Sequence, residues 1–142
     1  MNFMFGKVYH QMDAKNRIRI PVKFKNAFPK GEALFFVRYN EGRVAVMSES
    51  VLSQRLSVFE EVNPGNREAA DAISAMAGFI DEVSEDGQGR TQLPKWAREF
   101  IKGKELVTVG VKHYIEIWDA NVYDGKILSK PQDQIVGALY HA

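Results

Sequence analysis

Hydrophobic and polar residues alternate in short segments along the chain, and residues that favour turns separate these segments. The alternation predicts four strands in the first part of the chain, at residues 7–12, 17–20, 34–37 and 43–47. A short helix is predicted between the second and third strands, because Pro21 suits its first turn and Gly31 suits its end. This part of the chain is therefore predicted to contain two strands, a helix and two more strands.

The same order of elements occurs a second time. Residues 13–21 align with 86–94, residues 31–37 with 103–109, and residues 43–47 with 114–118, at offsets of 73, 72 and 71. Matching blocks in one order predict a duplicated unit, and we define the first repeat as residues 5–49 and the second repeat as residues 78–120. A unit of about 45 residues buries too little apolar surface to be stable alone, so the two repeats are expected to share one core.

Helical segments are predicted after each repeat. Residues 50–77 carry apolar side chains at helical spacing, interrupted near Pro64, and their stripes are expected to pack against the strands, with a subunit interface as the alternative. In a C-terminal tail, residues 121–142, a helix capped by Asp119 is predicted to run to Leu128, and Pro131 precedes a weak final turn. The predicted fold class is α+β, mainly β with helices.

Composition excludes several classes of protein. Hydrophobic residues make up 45% and charged residues 26% of the chain, as in globular domains rather than disordered ones. The absence of cysteine excludes disulfide frameworks, thiolate zinc sites and cysteine nucleophiles. No apolar run approaches the ~20 residues that a membrane helix needs, and the N-terminal residues lack a secretory signal, so a cytoplasmic protein without a membrane partner is expected.

The net charge of +1 conceals a strong asymmetry along the chain. Residues 1–43 contain nine basic and three acidic residues, whereas residues 44–86 contain two basic and nine acidic ones. Residues 87–142 contain eight basic and six acidic residues. This distribution predicts a basic binding surface apart from an acidic segment; the alternative is a helical insert with an ordinary solvated acidic face.

Each repeat contains an Asp-x-x-x-Arg turn between its first two strands, at residues 13–17 and 86–90. Aspartate at the start of a turn accepts hydrogen bonds from the backbone N–H groups that follow it. Asn16 and Gly89 occupy the fourth position, and these residue types best tolerate a positive φ. The turns are therefore predicted to be tight, and the simplest alternative to a binding role is an Asp–Arg pair that only stabilises each turn.

The strand after each turn carries hydrogen-bond donors on one predicted face, because side chains at i and i+2 share a face of a strand. Lys15, Arg17 and Arg19 form this set in the first repeat, while Ile18 and Ile20 are expected to face the core. The equivalent set in the second repeat is Gln88, Arg90 and Gln92. A two-stranded ribbon fits the major groove of DNA, and Arg bound to guanine is the commonest specific contact. The first repeat is expected to contribute more affinity, since it has more cations.

These residues closely resemble the MraZ family, within the AbrB-like, swapped-hairpin group of bacterial DNA-binding proteins. The resemblance rests on the duplicated turn, the proline and aromatic-bearing helix after it, and the closing segment from Val109 to Trp118, and it covers residues 4–118. It implies a double-split, swapped-hairpin β-barrel of two interlocked repeats and a ring-shaped homo-oligomer. It also implies a regulator, usually a repressor, of the division and cell-wall operon that includes its own gene, bound at short direct repeats in the promoter.

The motif residues of the resemblance fall on matching positions of this chain. Two positions depart from the pattern: Asn16 replaces the glycine of the first turn, and the second turn lacks a lysine. The predicted DNA-contacting residues are Lys15, Asn16, Arg17, Arg19, Gln88, Arg90 and Gln92. The predicted turn-shaping residues are Asp13, Asp86 and Gly89.

An enzyme is the contrasting class, and the residues give it little support. His10, His113 and His141 are isolated, without partners at metal-ligand spacing, so no catalytic residue, metal, cofactor or small-molecule substrate is expected. A second alternative is a protein-interaction module such as an antitoxin, which usually carries one AbrB-like unit and a disordered tail that wraps the toxin. The duplication favours the regulator, whose expected partners are double-stranded DNA and further copies of itself, in the cytoplasm and at the nucleoid.

Overall fold

The computed structural model describes residues 3–39 and 42–140. The first repeat contains β1 (Lys7–Gln11), β2 (Arg17–Arg19), α1 (Val22–Lys25), β3 (Leu34–Arg38) and β4 (Val44–Ser48). The second repeat contains β5 (Ile80–Glu82), β6 (Arg90–Gln92), a 3-10 helix (Lys95–Glu99), β7 (Glu105–Val111) and β8 (Tyr114–Asp119). The insert contains α2 (Glu49–Leu56), a 3-10 helix (Ser57–Glu61) and α3 (Arg67–Ala77). The tail contains α4 (Ala120–Tyr123), a π-helical turn (Asp124–Leu128) and α5 (Gln132–Tyr140).

Strands of the two repeats are intermixed in one six-stranded antiparallel sheet, in the order β1-β7-β8-β4-β3-β5. The first strand of each repeat pairs with the third strand of the other, and the two fourth strands pair in the middle. Strands β2 and β6 form a separate two-stranded ribbon. If each strand is replaced by the equivalent strand of the other repeat, the same order is read in reverse. The sheet therefore has approximate two-fold symmetry. The two repeats thus complete each other's sheet.

One face of the sheet supports the ribbon. Alternate residues of the central strands point to this face and are at most 1% exposed, namely Val44, Val46, Ile115 and Ile117. Ile18 of β2 and Leu93, which follows β6, belong to the same buried cluster, and so does Phe24 of α1. Because strand side chains alternate, burying Ile18 turns Arg17 and Arg19 away from the core. The predicted inward orientation of Ile18 and Ile20 is confirmed, since both are buried.

The opposite face of the sheet is covered by helices. Leu52 of α2 packs with Val37 and Met47, as predicted for the first part of the insert. Beyond β8, the carboxylate of Asp119 accepts hydrogen bonds from the N–H groups of Asn121 and Val122, so the predicted helix cap is confirmed. Tyr123 of α4 packs against Trp118. The helix that follows each repeat therefore covers its own part of this face.

Two predictions for the outer helices are wrong. The apolar stripe of α3 does not pack against the strands: α3 contains no buried residue, and Met76 is 48% exposed. Helix α2 covers the sheet beside β3 and β4, and no residue of α3 belongs to that packed cluster. The final segment is not a weak turn but the nine-residue helix α5. Pro131 supports its start, since the N–H of Ile135 donates to the carbonyl of Pro131 (3.1 Å).

The α+β class is confirmed, with antiparallel strands and helices. Among the described residues the main sheet has free edges at β1 and β5, so its hydrogen-bonded ladder does not close into a barrel. Across residues 3–39 and 42–140, no helix combines the length and the apolar character needed to cross a bilayer. His141 lies outside the described residues.

Candidate nucleic-acid interface

The first turn is built around the carboxylate of Asp13. Its Oδ1 accepts hydrogen bonds from the N–H groups of Lys15 and Arg17, both at 2.9 Å. Its Oδ2 accepts from Nε of Arg17 at 2.8 Å. The backbone closes the same turn, because the N–H of Asp13 donates to the carbonyl of Arg17 (3.0 Å). One carboxylate therefore fixes both the path of the turn and the orientation of the guanidinium that leaves it.

The second turn repeats this arrangement around Asp86. Its Oδ1 accepts from the N–H groups of Gln88 (2.8 Å) and Arg90 (3.0 Å), and its Oδ2 accepts from Nε of Arg90 (2.9 Å). The N–H of Asp86 donates to the carbonyl of Arg90 at 2.8 Å. The side-chain pair that the simplest alternative requires is thus present in both turns, and any role in binding has to act through the remaining nitrogens of each arginine.

Both turns contain one residue with a positive φ, at the position before the arginine. The φ angle is 61° at Asn16 and 75° at Gly89. This region of backbone space is open to glycine without strain, and asparagine enters it more readily than most other residues. Asparagine in the first turn therefore leaves the backbone geometry unchanged.

The ribbon brings donors of the two repeats onto one outward face. In its register Arg17 lies opposite Gln92, and Arg19 lies opposite Arg90. Residues directly opposite each other in an antiparallel pair share a face, so these four side chains form one group. The inward residue pair is Ile18 with Thr91, and both are buried. Arg19 and Arg90 therefore place two like charges directly opposite each other, and such a pair destabilises the pairing of the strands.

Each strand of the ribbon also holds the turn of the other repeat. Nε of Arg19 donates to the carbonyl of Gln88 at 3.1 Å. The equivalent residue of the second repeat, Gln92, donates through Nε2 to the carbonyls of Lys15 (2.9 Å) and Asn16 (3.4 Å). Together with the paired strands, these bonds couple the two turns into one unit. The seven predicted contact residues therefore lie on two adjacent turns and the ribbon that joins them.

The balance of charge at these turns is positive. Four cations, on Lys15, Arg17, Arg19 and Arg90, outnumber the two aspartates. Lys15 and Arg19 are exposed, whereas the side chains of Arg17 and Arg90 are 26% and 28% exposed. Nη1 of Arg17 also lies 3.8 Å from Oδ2 of Asp86, so the two turns are linked electrostatically.

Both aspartates are ionised in the neutral range. The N–H of Arg17 is the largest influence that lowers the pKa of Asp13, and the side chain of Arg17 adds to it. For Asp86, the hydrogen bond from the N–H of Arg90 is the largest cause, and its pKa falls from 3.8 to about 2. A carboxylate whose oxygens are occupied by donors is a poor proton acceptor, so this pair of acids is suited to ordering the turns rather than to acid–base chemistry.

Two neighbouring residues were not predicted from the sequence. His10 of β1 lines a cleft of about 230 Å³ together with Arg17, Arg19 and Arg90. Burial lowers its pKa, and its Nε2 lies 2.6 Å from Oγ1 of Thr108. Lys25 of α1 forms an ion pair with Glu85 (2.5 Å), which precedes the second turn. Strand alternation indicates the face of His10, but only the pairing of β1 with the other repeat brings it to this cleft.

Comparison with known proteins gives one consistent result. The family model described as "MraZ protein, putative antitoxin-like" matches residues 76–133. A protein of Corynebacterium jeikeium named "Transcriptional regulator MraZ" is 31% identical over 117 residues, which cover 82% of this chain and 80% of that relative. A protein of the same name from Mycobacterium bovis is 29% identical over 142 residues, covering 95% of this chain and 98% of the relative. A third, from Mycoplasmopsis synoviae, is 28% identical over 126 residues, covering 85% and 84%.

The family model covers the second turn and the strands after it, and the relatives extend the match over both repeats. The relative that is 31% identical covers most of both chains. The relative that covers 95% of this chain spans both repeats and both Asp-x-x-x-Arg turns. The chain belongs to the MraZ family.

Proposed function

We propose that this chain is a sequence-specific DNA-binding transcriptional regulator, and that the β2–β6 ribbon with its two turns is the surface that contacts DNA. The observation that carries the proposal is the register of the ribbon, which groups Arg17, Arg19, Arg90 and Gln92 on one outward face. The names of the relatives, each a "Transcriptional regulator MraZ", support it. The chain acts by binding and not by catalysis.

The paired arginines are suited to reading bases. Nε of Arg17 and of Arg90 is bound to an aspartate, which holds each guanidinium plane in place. The terminal nitrogens are the part of the fork that binds O6 and N7 of guanine. Holding the side chain beforehand reduces the conformational entropy lost on binding. The Asp–Arg pair therefore both stabilises the turn and prepares the arginine.

The exposed cations supply affinity that does not depend on sequence. Lys15 and Arg19 are exposed beside the two held arginines. When such side chains contact phosphates, counterions are released from the DNA. The exposure of Lys15 and Arg19 favours them for contacts with the DNA backbone. Asn16, Gln88 and Gln92 add neutral donors and acceptors to the same surface. Lys15 and Arg19 of the first repeat correspond to the neutral residues Gln88 and Gln92 of the second. The first repeat therefore contributes most of the affinity.

The finer architecture belongs to the same proposal. We assign residues 5–49 and 78–120 to two AbrB-like repeats, residues 50–77 to an insert and residues 121–142 to a tail. The exchange of first and third strands between repeats supports a swapped-hairpin arrangement of the double-split barrel type. The protein works in the cytoplasm, at the nucleoid.

A ring-shaped homo-oligomer is proposed as the form that binds DNA. Helix α3 has an apolar stripe, no buried residue and neighbouring acidic residues, and it leads directly into β5 at one edge of the sheet. Phe3 and Phe5 are about 60% exposed beside Lys7 and lie next to β7, towards the other edge. Two different complementary surfaces make a head-to-tail contact, and such contacts form a ring when the rotation between neighbouring subunits closes. Several turns would then contact several direct repeats together, which raises the affinity.

The proposed target is the promoter of the division and cell-wall operon that includes the gene for this chain, with repression as the outcome. The test is footprinting of the purified protein on the DNA upstream of its own gene, with a scrambled duplex of equal length as control. Protection of short direct repeats is expected, with an affinity that falls steeply as salt rises. Equal binding to the scrambled duplex, or no binding in dilute buffer, would overturn the proposal.

The words "antitoxin-like" in the description of the family favour a second candidate function, the binding of a partner protein. The two candidates differ in the residues that they need. DNA binding requires Arg17 and Arg90, whereas an antitoxin holds its partner with a tail outside the ribbon. A double variant Arg17→Ala, Arg90→Ala that keeps its oligomeric size but no longer binds the promoter supports the regulator. Unchanged promoter binding by this variant would exclude the ribbon as the contact surface.

A further inference from the structure

A cleft of about 560 Å³ lies between α2 and the turn that connects β7 to β8, and we call it the hairpin cleft. Its lining residues are Val51, Gln54, Arg55, Val111, Lys112, His113 and Tyr114. It lies apart from the ribbon: the β1–β7 ladder pairs Lys7 with Val109 at the end near the cleft and Gln11 with Glu105 at the end near the first turn. The four steps of antiparallel strand from Lys7 to Gln11 span ~14 Å. An inference about this cleft is therefore independent of the proposed DNA contact.

The charged residues of this lining are all basic. Arg55 and Lys112 supply two cations and His113 an imidazole, and no carboxylate is among the described residues that line the cleft. Val51 and Val111 supply apolar walls, and Tyr114 supplies an aromatic one. A cleft of a few hundred cubic ångströms with apolar walls and a few convergent polar groups is typical of small-molecule sites. The sign of the charge selects an anion.

Arg55 is held in position at the mouth of the cleft. Its Nη1 donates to the hydroxyl of Tyr39 at 2.8 Å. Its guanidinium carbon lies 4.7 Å from the ring centroid of Tyr114 and 5.4 Å from that of Tyr39. The two rings are themselves in edge-to-face contact, 5.9 Å apart. Stacking on aromatic rings fixes the guanidinium, and among the residues that the structure describes only its Nη1 has a hydrogen-bond partner, so its other nitrogens can bind a carboxylate.

Lys112 is in a backbone conformation that lysine disfavours. Its φ is 66°, and the N–H of His113 donates to the carbonyl of Val111 across it (2.8 Å). A three-residue turn with a positive φ at its centre is the rare, strained form of the γ-turn. Hydrogen bonds to Met4 on both sides of Lys112, at 2.9 and 2.7 Å, hold this conformation. Glycine would remove the strain, so a lysine here points to use of its side chain.

We propose that the hairpin cleft binds a small organic anion with an apolar or aromatic body, such as an aryl or alkyl carboxylate. Arg55 and Lys112 bind the carboxylate, and the body lies against Val51, Val111 and Tyr114. This site adds a ligand to a protein whose proposed function needs only DNA and copies of itself. Failure of DNA binding leaves this inference standing, and failure of this inference leaves DNA binding standing.

The experiment is isothermal titration of the full chain with 4-phenylbutyrate and with the neutral alcohol 4-phenylbutan-1-ol, which has the same apolar body. One molecule of the acid per chain is expected, bound about tenfold more tightly than the alcohol. Arg55→Gln and Lys112→Gln should each weaken binding of the acid about tenfold and leave binding of the alcohol unchanged. Equal affinities for acid and alcohol, or no saturable binding of the acid, would overturn the proposal.

Control variants separate the loss of a contact from the loss of structure. Arg55→Lys keeps the charge but loses the stacked guanidinium, so it should weaken binding of the acid less than Arg55→Gln does. Lys126→Gln removes an exposed lysine outside the cleft and should change nothing. Lys112→Gly should raise the urea midpoint of unfolding, because glycine accepts the positive φ, and should still lose about tenfold in affinity for the acid. Wild-type affinity in Lys112→Gly would contradict the assignment of Lys112 as a ligand residue.

Discussion

The two Asp-x-x-x-Arg turns have nearly the same geometry but different charge. The distances from the aspartate oxygens to the two N–H groups and to Nε are 2.9, 2.9 and 2.8 Å in the first turn and 2.8, 3.0 and 2.9 Å in the second. Between the aspartate and the arginine, the first turn has Lys15 and the second has Gln88. Two residues after the arginine, the first repeat has Arg19 and the second has Gln92.

This comparison separates what the backbone of a turn requires from what its surface can vary. The aspartate, the arginine and a residue tolerant of positive φ are required, because they close the turn. The third residue of the turn and the last residue of the strand have side chains on the surface, and these residues differ between the two repeats. At the last strand position a bond to the opposite turn persists although the residue changes, since Arg19 and Gln92 both donate to a backbone carbonyl.

The largest expected effect comes from removing one arginine at a time. Arg17→Ala should weaken binding to the promoter about 10- to 100-fold, since it removes the proposed base contact and lies beside the other cations. Arg90→Ala should weaken binding several-fold less, because its repeat contributes fewer cations. Filter binding at fixed salt measures both, and light scattering checks that the oligomer is unchanged. Equal losses in the two variants would contradict the unequal roles of the repeats.

The second prediction concerns the positive φ at the fourth position of both turns. Gly89→Ala should lower the free energy of unfolding by about 1 kcal/mol or more, because alanine is strained at a φ of 75°. Gly89→Asn should cost less, since asparagine adopts φ 61° in the first turn. Asn16→Gly should be nearly neutral. Urea denaturation measures all three, and a Gly89→Asn variant as unstable as Gly89→Ala would show that the two turns are not interchangeable.

The sequence predicted the turns and the inward face of β2 because both depend on local chemistry. Asp13 and Arg17 are four residues apart, and the alternation around Ile18 depends only on the period of a strand. The register of Arg19 opposite Arg90 joins residues that are far apart in the chain, and alternation specifies a face but no partner. The small size of each unit predicts a shared core and the resemblance implies interlocked repeats, whereas the partner of each strand is known only from the structure.

The outer helices differ from the predictions for a related reason. An apolar stripe on α3 indicates that some surface covers it, but it does not say which one. Leu52 of α2 packs on the sheet face beside β3 and β4, whereas α3 has no buried residue. Pro131 precedes a nine-residue helix rather than a weak turn, because proline suits the first turn of a helix. The sequence does not predict the hairpin cleft, because the positive φ of Lys112 has no signature in a single sequence.

A third, smaller effect is expected in acid. The folded-state pKa of Asp86 is about 2, below its ordinary value of 3.8, so its contribution to stability is complete above pH 4 and is lost as the pH falls towards 2. In Asp86→Asn this contribution is absent at every pH. The difference in unfolding free energy between wild type and Asp86→Asn should therefore narrow from pH 4 to pH 2, and urea titrations at several pH values measure it. A difference that stays constant would show that the hydrogen bonds to Asp86 do not depend on its charge.

The smallest effect separates the last strand position of the two repeats. Arg19→Gln makes the first repeat like the second at this position, and it should reduce the slope of log affinity against log salt by about 0.9, the value for one phosphate contact. Gln92→Arg makes the opposite change and should increase the slope by a similar amount. Both variants can still donate to the facing turn, as Arg19 and Gln92 do now, so the ribbon itself is kept. If the double variant restores the wild-type slope, the two positions make equivalent phosphate contacts. If it keeps the slope of Arg19→Gln, only the first repeat reaches the DNA backbone at this position.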